Sequence, residues 1–572
     1  MEGFGGGGCL LIKKKMKNIR LNFKTALIFS IIAFLLVFNV WPMCYLIFRS
    51  LFGENGFTLE NIKRIYAYDL NWEALKNTLM TAGLSMVFGV MIALPLAWLV
   101  GRTDLYGKKF FRTLFVMTYM VPPYVGAMAW LRLLNPKVGT LNIFIAKILG
   151  LSENPFNIYT IGGLVWVLTT FYYPYAFITI SRAMEKMDPS LEEAAKISGA
   201  SSIKTVLTVT FPVMLPSIIA SGLLVFIAAA SCYGIPSIIG APGQIDTITT
   251  RIIDYVYLGN AEGLSDATAL AVSLMFIAIL VLYISDFICG ARQFITVSGK
   301  STRPNIVELG KWRLPLTILV SLFALIVIVI PFATVVMTSF TKNLGESLSS
   351  SNFTTRYWHI LFTRKPILNS IKNSLISASA AATAGILISC VMAWLLTRTK
   401  ARGRKIPDFL ITLGSGTPSI VIALALIITM SGRFGINLYN TLTIMIIAYM
   451  IKYLLMGMRT VTAAFNQIHP SLEEAALISG ASWQRSFMNI TLPLIAPSVV
   501  AGWFLIFMPS FYELTMSTLL YSTNTKTIGY ELFTYQTYHS QQTASAIATG
   551  ILLMVLAVNY LLNKLTKGEF SI

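Results

Sequence analysis

Apolar residues in this chain gather into about twelve blocks, each near the roughly 20 residues a helix needs to cross a hydrocarbon core of about 30 Å. The blocks lie near 26–48, 78–100, 112–134, 160–181, 213–232, 268–289, 313–338, 371–396, 409–430, 440–461, 494–520 and 545–564. Lipid offers no partner to an unpaired backbone N–H or C=O, so a spanning segment must be a helix or belong to a closed barrel. Barrel strands alternate apolar and polar residues, and these blocks do not. The expected fold class is therefore an all-α polytopic membrane protein with about twelve transmembrane helices. Charge agrees: only 12% of residues are charged, against about 25% in soluble domains.

The net charge of +20 would point to nucleic acid in a soluble chain. Here it reads as the basic bias of cytoplasmic loops, and no nucleic-acid partner is expected. Lys13, Lys14, Lys15, Lys17, Arg20 and Lys24 precede the first block. Arg102, Lys108, Lys109 and Arg112 lie between blocks two and three, Arg398, Lys400, Arg402, Arg404 and Lys405 between eight and nine. Lys564 and Lys567 follow the last. With an even number of spans all these segments share one side, so both termini are expected in the cytoplasm. The leading Gly3–Gly8 stretch reads as part of a disordered tail. Cys9, Cys44, Cys232, Cys289 and Cys390 show no metal or redox spacing, and a free cysteine in a span is usually a small buried apolar residue.

The chain also repeats itself. Lys76-Asn77-Thr78-Leu79 recurs 296 positions later as Lys372-Asn373-Ser374-Leu375, and Ala97-Trp98-Leu99 with Arg102-Thr103 as Ala393-Trp394-Leu395 with Arg398-Thr399. Pro189-Ser190-Leu191-Glu192-Glu193-Ala194-Ala195 recurs 281 positions later as Pro470-Ser471-Leu472-Glu473-Glu474-Ala475-Ala476. The change of offset places an insertion near 131–160 of the first half, on the outer face. The organisation expected is a basic tail over 1–25, a first six-helix half over 26–295, a cytoplasmic linker over 296–312 and a second half over 313–572. An even span count per half makes the two repeats parallel.

The segment between blocks four and five carries the most information. Ser190 with Glu193, and Ser471 with Glu474, fit a capping box at a helix start. Gly199 and Gly480 are placed to end that helix with a positive φ. A second short helix is expected through Val206 or Phe487, ending before Pro212 or Pro493. Glu193-Ala194-Ala195, Gly199 and Val209-Thr210-Phe211-Pro212 resemble the EAA loop of ABC importer permeases. Glu474-Ala475-Ala476, Gly480 and Ile490-Thr491-Leu492-Pro493 resemble it again, so the loops lie near 189–212 and 470–493 of two fused permease halves. The resemblance implies a bacterial inner-membrane subunit of an ATP-driven importer. It implies that Glu193, Ala194, Ala195, Gly199, Glu474, Ala475, Ala476 and Gly480 form the coupling loops, and that two copies of an ATPase subunit and an extracytoplasmic substrate-binding protein are the partners.

The chain itself offers no ATP site. Gly299-Lys300-Ser301 has the ending of a Walker A loop, but Phe294 stands where its first glycine belongs. No catalytic residue, resident metal or cofactor is expected here, ATP being bound by the partner subunits. For cargo, Tyr233-Gly234-Ile235-Pro236-Ser237 and Glu513-Leu514 with Thr518-Leu519-Leu520 resemble the ferric-iron permeases, with thiamine, 2-aminoethylphosphonate and polyamine importers as alternatives. Glu513, Tyr512 and Tyr233 are the pathway candidates, since an acid within a membrane is costly and usually functional. A secondary transporter of the major facilitator type also has twelve spans in parallel halves. That family lacks the paired loop.

Overall fold

A computed structural model describes residues 23–565 apart from 54–55, 291–305, 345 and 347–348. The Gly3–Gly8 stretch and the linker segment 296–305, with Gly299-Lys300-Ser301, lie outside the described residues. Among the described residues, apart from one short hairpin, Phe52–Gly53 with Gly56–Phe57, the extended elements are isolated bridges, and the rest is helix and loop. Ten helices among the described residues are long and apolar enough to cross a membrane alone. In order through the chain they are spans one (Thr25–Leu51), two (Asp69–Arg102), four (Ile161–Glu185), five (Val206–Ala230), six (Ala261–Ser285), seven (Gly310–Thr338), eight (Lys365–Arg398), ten (Leu442–Gln467), eleven (Phe487–Phe511) and twelve (Gln541–Leu562).

The two remaining blocks are not the straight helices expected. Lys108–Tyr119 and Pro123–Leu134 meet at 103°, and Lys405–Gly416 and Ser419–Thr429 at 106°. A twelve-residue limb is about 18 Å long, little more than half the hydrocarbon thickness. Span two ends, and span four also ends, on the side of the EAA-type loops, where Arg102 meets both Met184 and Glu192. The bent pair thus starts on that side and hands the chain to the start of span four on the other. It is a broken crossing, span three, and by the same geometry the second pair is span nine. Pro122 and Pro418 sit at the two breaks, where a proline disfavours helix in the residue before it.

Proline has a second effect that the sequence reading mistook. Pro212 and Pro493 do not end a short helix. The chain runs from Ser202–Thr205 through a π-helical turn, Val206–Thr210, directly into Phe211–Ala230, and likewise through Phe487–Thr491 into Leu492–Phe511. The residue before each proline donates its N–H five residues back, Phe211 to Val206 and Leu492 to Phe487. The wider turn takes up the ring that would otherwise clash with the carbonyl four residues earlier. The same device precedes Pro42 in span one and Pro331 in span seven.

The halves are interleaved. Span one packs on the broken span of the second half: Asn39 Nδ2 donates to the Leu410 carbonyl at 2.9 Å, and Arg433 to the Tyr45 hydroxyl at 3.0 Å. Span seven packs on the first half in return, with Phe323 5.6 Å from Tyr173 and Phe332 6.2 Å from Phe171 between ring centres. The described end of the linker is tied down as well. Val307 pairs with the backbone of Arg102 and Asp104, and Asp104 accepts from the Leu309 N–H at 2.9 Å. The insertion of the first half holds a helix, Thr140–Leu149, on the side opposite the EAA-type loops.

Candidate functional site

Two regions gather the residues singled out in the sequence. The first is the pair of loops between spans four and five and between spans ten and eleven. The loop helices are Pro189–Ile197 and Ser471–Ile478. Each ends in a left-handed glycine, Gly199 at φ 84° and Gly480 at φ 86°. There the Ala200 and Ala481 amides close on the Ala195 and Ala476 carbonyls at 3.0 Å. A side chain at positive φ is strained, which is why glycine stands there.

The expected capping boxes are not formed. Asp188, two residues before the expected Ser190, caps the first helix by accepting from the Ser190 N–H at 3.0 Å. In the second loop His469 Nδ1 accepts from the Ser471 N–H at 3.2 Å. Pro189 is the first residue of the first helix and Pro470 the cap residue of the second, so each serine lies inside its helix rather than at the cap. Glu193 and Glu474 are exposed, as are Ala194 and Ala475, while Ala195 and Ala476 are half-buried. The neighbouring acids turn inward instead. Glu192 meets Arg102 at 3.5 Å and accepts from the Thr210 hydroxyl at 2.8 Å. Glu473 meets Arg398 at 3.0 Å and accepts from Thr491 at 3.1 Å. The sequence carried a signal for these four charges, since all belong to repeated segments. In the sequence alone the two arginines mark topology and the two acids neighbour the motif.

The second region is a cavity of about 410 Å³ between the halves. Its walls include the breaks of both bent spans, at Met120, Val121 and Pro123 and at Ser415, Gly416 and Ser419. That places it at mid-membrane depth, where irregular backbone is tolerated because it faces a cavity rather than lipid. Its lining includes six tyrosines, Tyr119, Tyr124, Tyr172, Tyr175, Tyr453 and Tyr512, with Lys452 and Glu513.

Glu513 is buried just beyond span eleven. One carboxylate oxygen accepts from the Met516 and Ser517 N–H groups at 2.8 and 3.1 Å, fixing the short helix Thr515–Leu520. The Tyr124 hydroxyl donates across the halves to the Tyr512 carbonyl at 2.9 Å. Gly234 lies under this contact: a Cβ there would stand 2.8 Å from Tyr124 Cβ and 3.1 Å from Leu514. Tyr233, the third pathway candidate, is not part of the cavity wall; its ring packs 5.7 Å from Phe533. Lys452, which the sequence reading passed over, lies in span ten. Its ammonium donates to the Ser415 and Thr417 carbonyls at 3.0 and 2.8 Å, closing the end of the first limb of span nine. A lysine inside an apolar block was the signal for it. Among the described residues no group of three or more His, Cys, Asp and Glu side chains could hold a metal ion.

Comparison with known proteins identifies the family of the chain. The putative ferric transport system permease protein FbpB 1 of Haemophilus influenzae is 27% identical over 84% of this chain and 75% of its own length. The Fe(3+)-transport system permease protein FbpB 2 of the same organism is 26% identical over 90% and 92%. A solved bacterial alginate ABC transporter, in complex with its alginate-bound periplasmic protein, aligns with 50% of this chain and 99% of its own at 22% identity and a TM-score of 0.40. Residues 93–291 and 385–567 each match one family, and with both matches together covering well over half its length the chain belongs to the binding-protein-dependent transport system inner membrane components, carrying two such units fused in one polypeptide.

Proposed function

We propose that this chain is the whole membrane pathway of an ATP-driven importer of ferric iron. In this reading the basic tail, the linker and both termini are cytoplasmic, one ATPase subunit docks on each EAA-type loop, and a binding protein delivers cargo from the opposite side. The observation that carries the docking is a matched pair of side chains. Ile197 and Ile478 stand at equivalent positions of the two loop helices, and each is 87% exposed. Burying an isoleucine contributes about 1.5–3 kcal/mol, so two such side chains left in water at repeated positions are best explained by a partner that covers them. Leu191 and Leu472 extend both patches. Alanine at 194, 195, 475 and 476 lets a partner surface approach closely.

Ferric iron as cargo is supported by the names of the relatives and by the cavity chemistry. A compact trivalent cation prefers oxygen ligands, and the cavity offers a carboxylate and several phenol groups rather than imidazoles or thiolates in number. A charge in a low-dielectric passage needs such compensation.

The test is reconstitution. Purified complex should contain one copy of this chain and two ATPase subunits by mass measurement; two copies with two ATPases would sink the fused-pathway reading. Cells lacking the chain should lose accumulation of labelled ferric iron. Unchanged iron accumulation with a fall in thiamine or aminoethylphosphonate uptake would remove iron and leave the importer.

A further inference from the structure

The loop helices have little apolar attachment to the membrane part. In the first, only Pro189 and Glu192 are buried, and in the second no residue is. What fastens them is a polar hub that occurs twice. In the first half Arg102, at the end of span two, donates to the Met184 carbonyl at the end of span four at 2.8 Å. It also meets Glu192 of the loop helix, and Glu192 in turn holds Thr210 in the π turn that opens span five. In the second half Arg398, at the end of span eight, donates to the Phe465 carbonyl of span ten at 3.0 Å and to Ile468 at 2.7 Å. It meets Glu473, and Glu473 holds Thr491 at the start of span eleven. Apart from the Ile468 carbonyl, every member sits at the repeat offset: 296 positions from Arg102 to Arg398, and 281 from Met184 to Phe465, Glu192 to Glu473 and Thr210 to Thr491.

We propose that Arg102 and Arg398 are the mechanical latches of the transporter, each joining one loop helix to three spans so that the helix cannot move without them. This rests on the reading of the loops as coupling elements and names the residues through which they act. Two of the three spans joined by each hub wall the cavity: Phe171, Tyr172 and Tyr175 lie on span four, Lys452 and Tyr453 on span ten, Leu224 and Ile227 on span five, Phe504 and Met508 on span eleven. The ion pair of the first half is buried, and a buried pair is hard to break one partner at a time; that of the second half is closer, at 3.0 Å, and charge-assisted hydrogen bonds are directional. A displacement of the loop helix is therefore passed on to the cavity wall rather than absorbed at the joint. The hub of the first half is the drier, with the Arg102 side chain 2% exposed against 10% for Arg398.

Latch and scaffold are told apart by counting cargo per ATP. Arg398→Met, Glu473→Gln and Thr491→Val, with Arg102→Met, Glu192→Gln and Thr210→Val, are each reconstituted with the ATPase subunits and the binding protein. Membrane content, ATPase co-purification, hydrolysis and uptake are measured on the same preparation. The expected result is retained ATPase binding and hydrolysis with cargo per ATP reduced about tenfold or more for the arginine variants, and recovery in Thr491→Ser, which keeps the hydroxyl. If an arginine variant does not accumulate in the membrane, the near-isosteric Glu473→Gln and Thr491→Val decide the matter by the same ratio. Unchanged cargo per ATP in these variants, with Gly480→Pro still blocking uptake, overturns the latch while the loops remain coupling elements. Loss of ATPase co-purification at normal membrane content also overturns it, because the hub would then build the docking surface. Normal uptake in Gly199→Pro and Gly480→Pro would remove the coupling reading itself.

Discussion

The two halves are nearly interchangeable on the side of the loops and differ at the cavity. Arg102, Glu192 and Thr210 are matched residue for residue by Arg398, Glu473 and Thr491. At mid-membrane Lys452 stands where the first half has Phe171, and Glu513 where it has Cys232. Both charges of the cavity thus come from one half. Two identical partners docked as proposed, one on each loop, would require equivalent attachments. A single cargo passing between the halves does not, and an off-axis charge pair gives it a side to bind. The comparison also separates two kinds of burial. The loop-side charges are paired with each other, whereas Lys452 and Glu513 are held by backbone groups at helix ends, Ser415 and Thr417 for one and Met516 and Ser517 for the other.

The largest effect is expected where the halves agree. Gly199→Pro with Gly480→Pro should stop uptake while the chain remains inserted, since proline holds φ near −65° and cannot take the left-handed turn. Uptake is the measurement, with membrane content as control. If one of the single variants transports normally, the symmetry of the loops is structural only.

A second, smaller effect sharpens the asymmetry. Glu513→Ala leaves two buried N–H groups without an acceptor, at about 1–3 kcal/mol each. Uptake should fall about tenfold, 1.4 kcal/mol being one factor of ten, with ATPase subunits still bound. Cys232→Ser, at the matching position, should leave uptake within about twofold. Equal losses at the two positions would show that the cavity treats both halves alike.

The smallest effect concerns the helix caps, where the loops differ. Asp188→Ala removes a side-chain cap and should destabilise Pro189–Ile197 by about 1 kcal/mol. Hydrogen exchange of that helix should then quicken while Ser471–Ile478, which has no aspartate cap, is unchanged. Equal quickening of both would mean that the two loops open together.

The sequence by itself determined whatever depends on composition summed over a window or on a local backbone requirement. About twenty apolar residues in a row decide partition into lipid wherever their neighbours are, so all twelve crossings were legible, including the two that prove to be broken. The left-handed turns at Gly199 and Gly480 were legible because few other residues take that φ. The tertiary structure alone decided which distant groups meet. Hydropathy averages over a bend, so the breaks at Pro122 and Pro418 were hidden inside apolar blocks. Prolines 212 and 493 read locally as helix ends, yet the packing of span five and span eleven keeps the helix going through a π turn. Arg102 shows its charge in the sequence but not Glu192, 90 residues away, and Asn39 gives no hint of Leu410, 371 residues on. Charge is a property of one residue, but pairing depends on the path of the whole chain, and that path is fixed only when the interleaved helices pack.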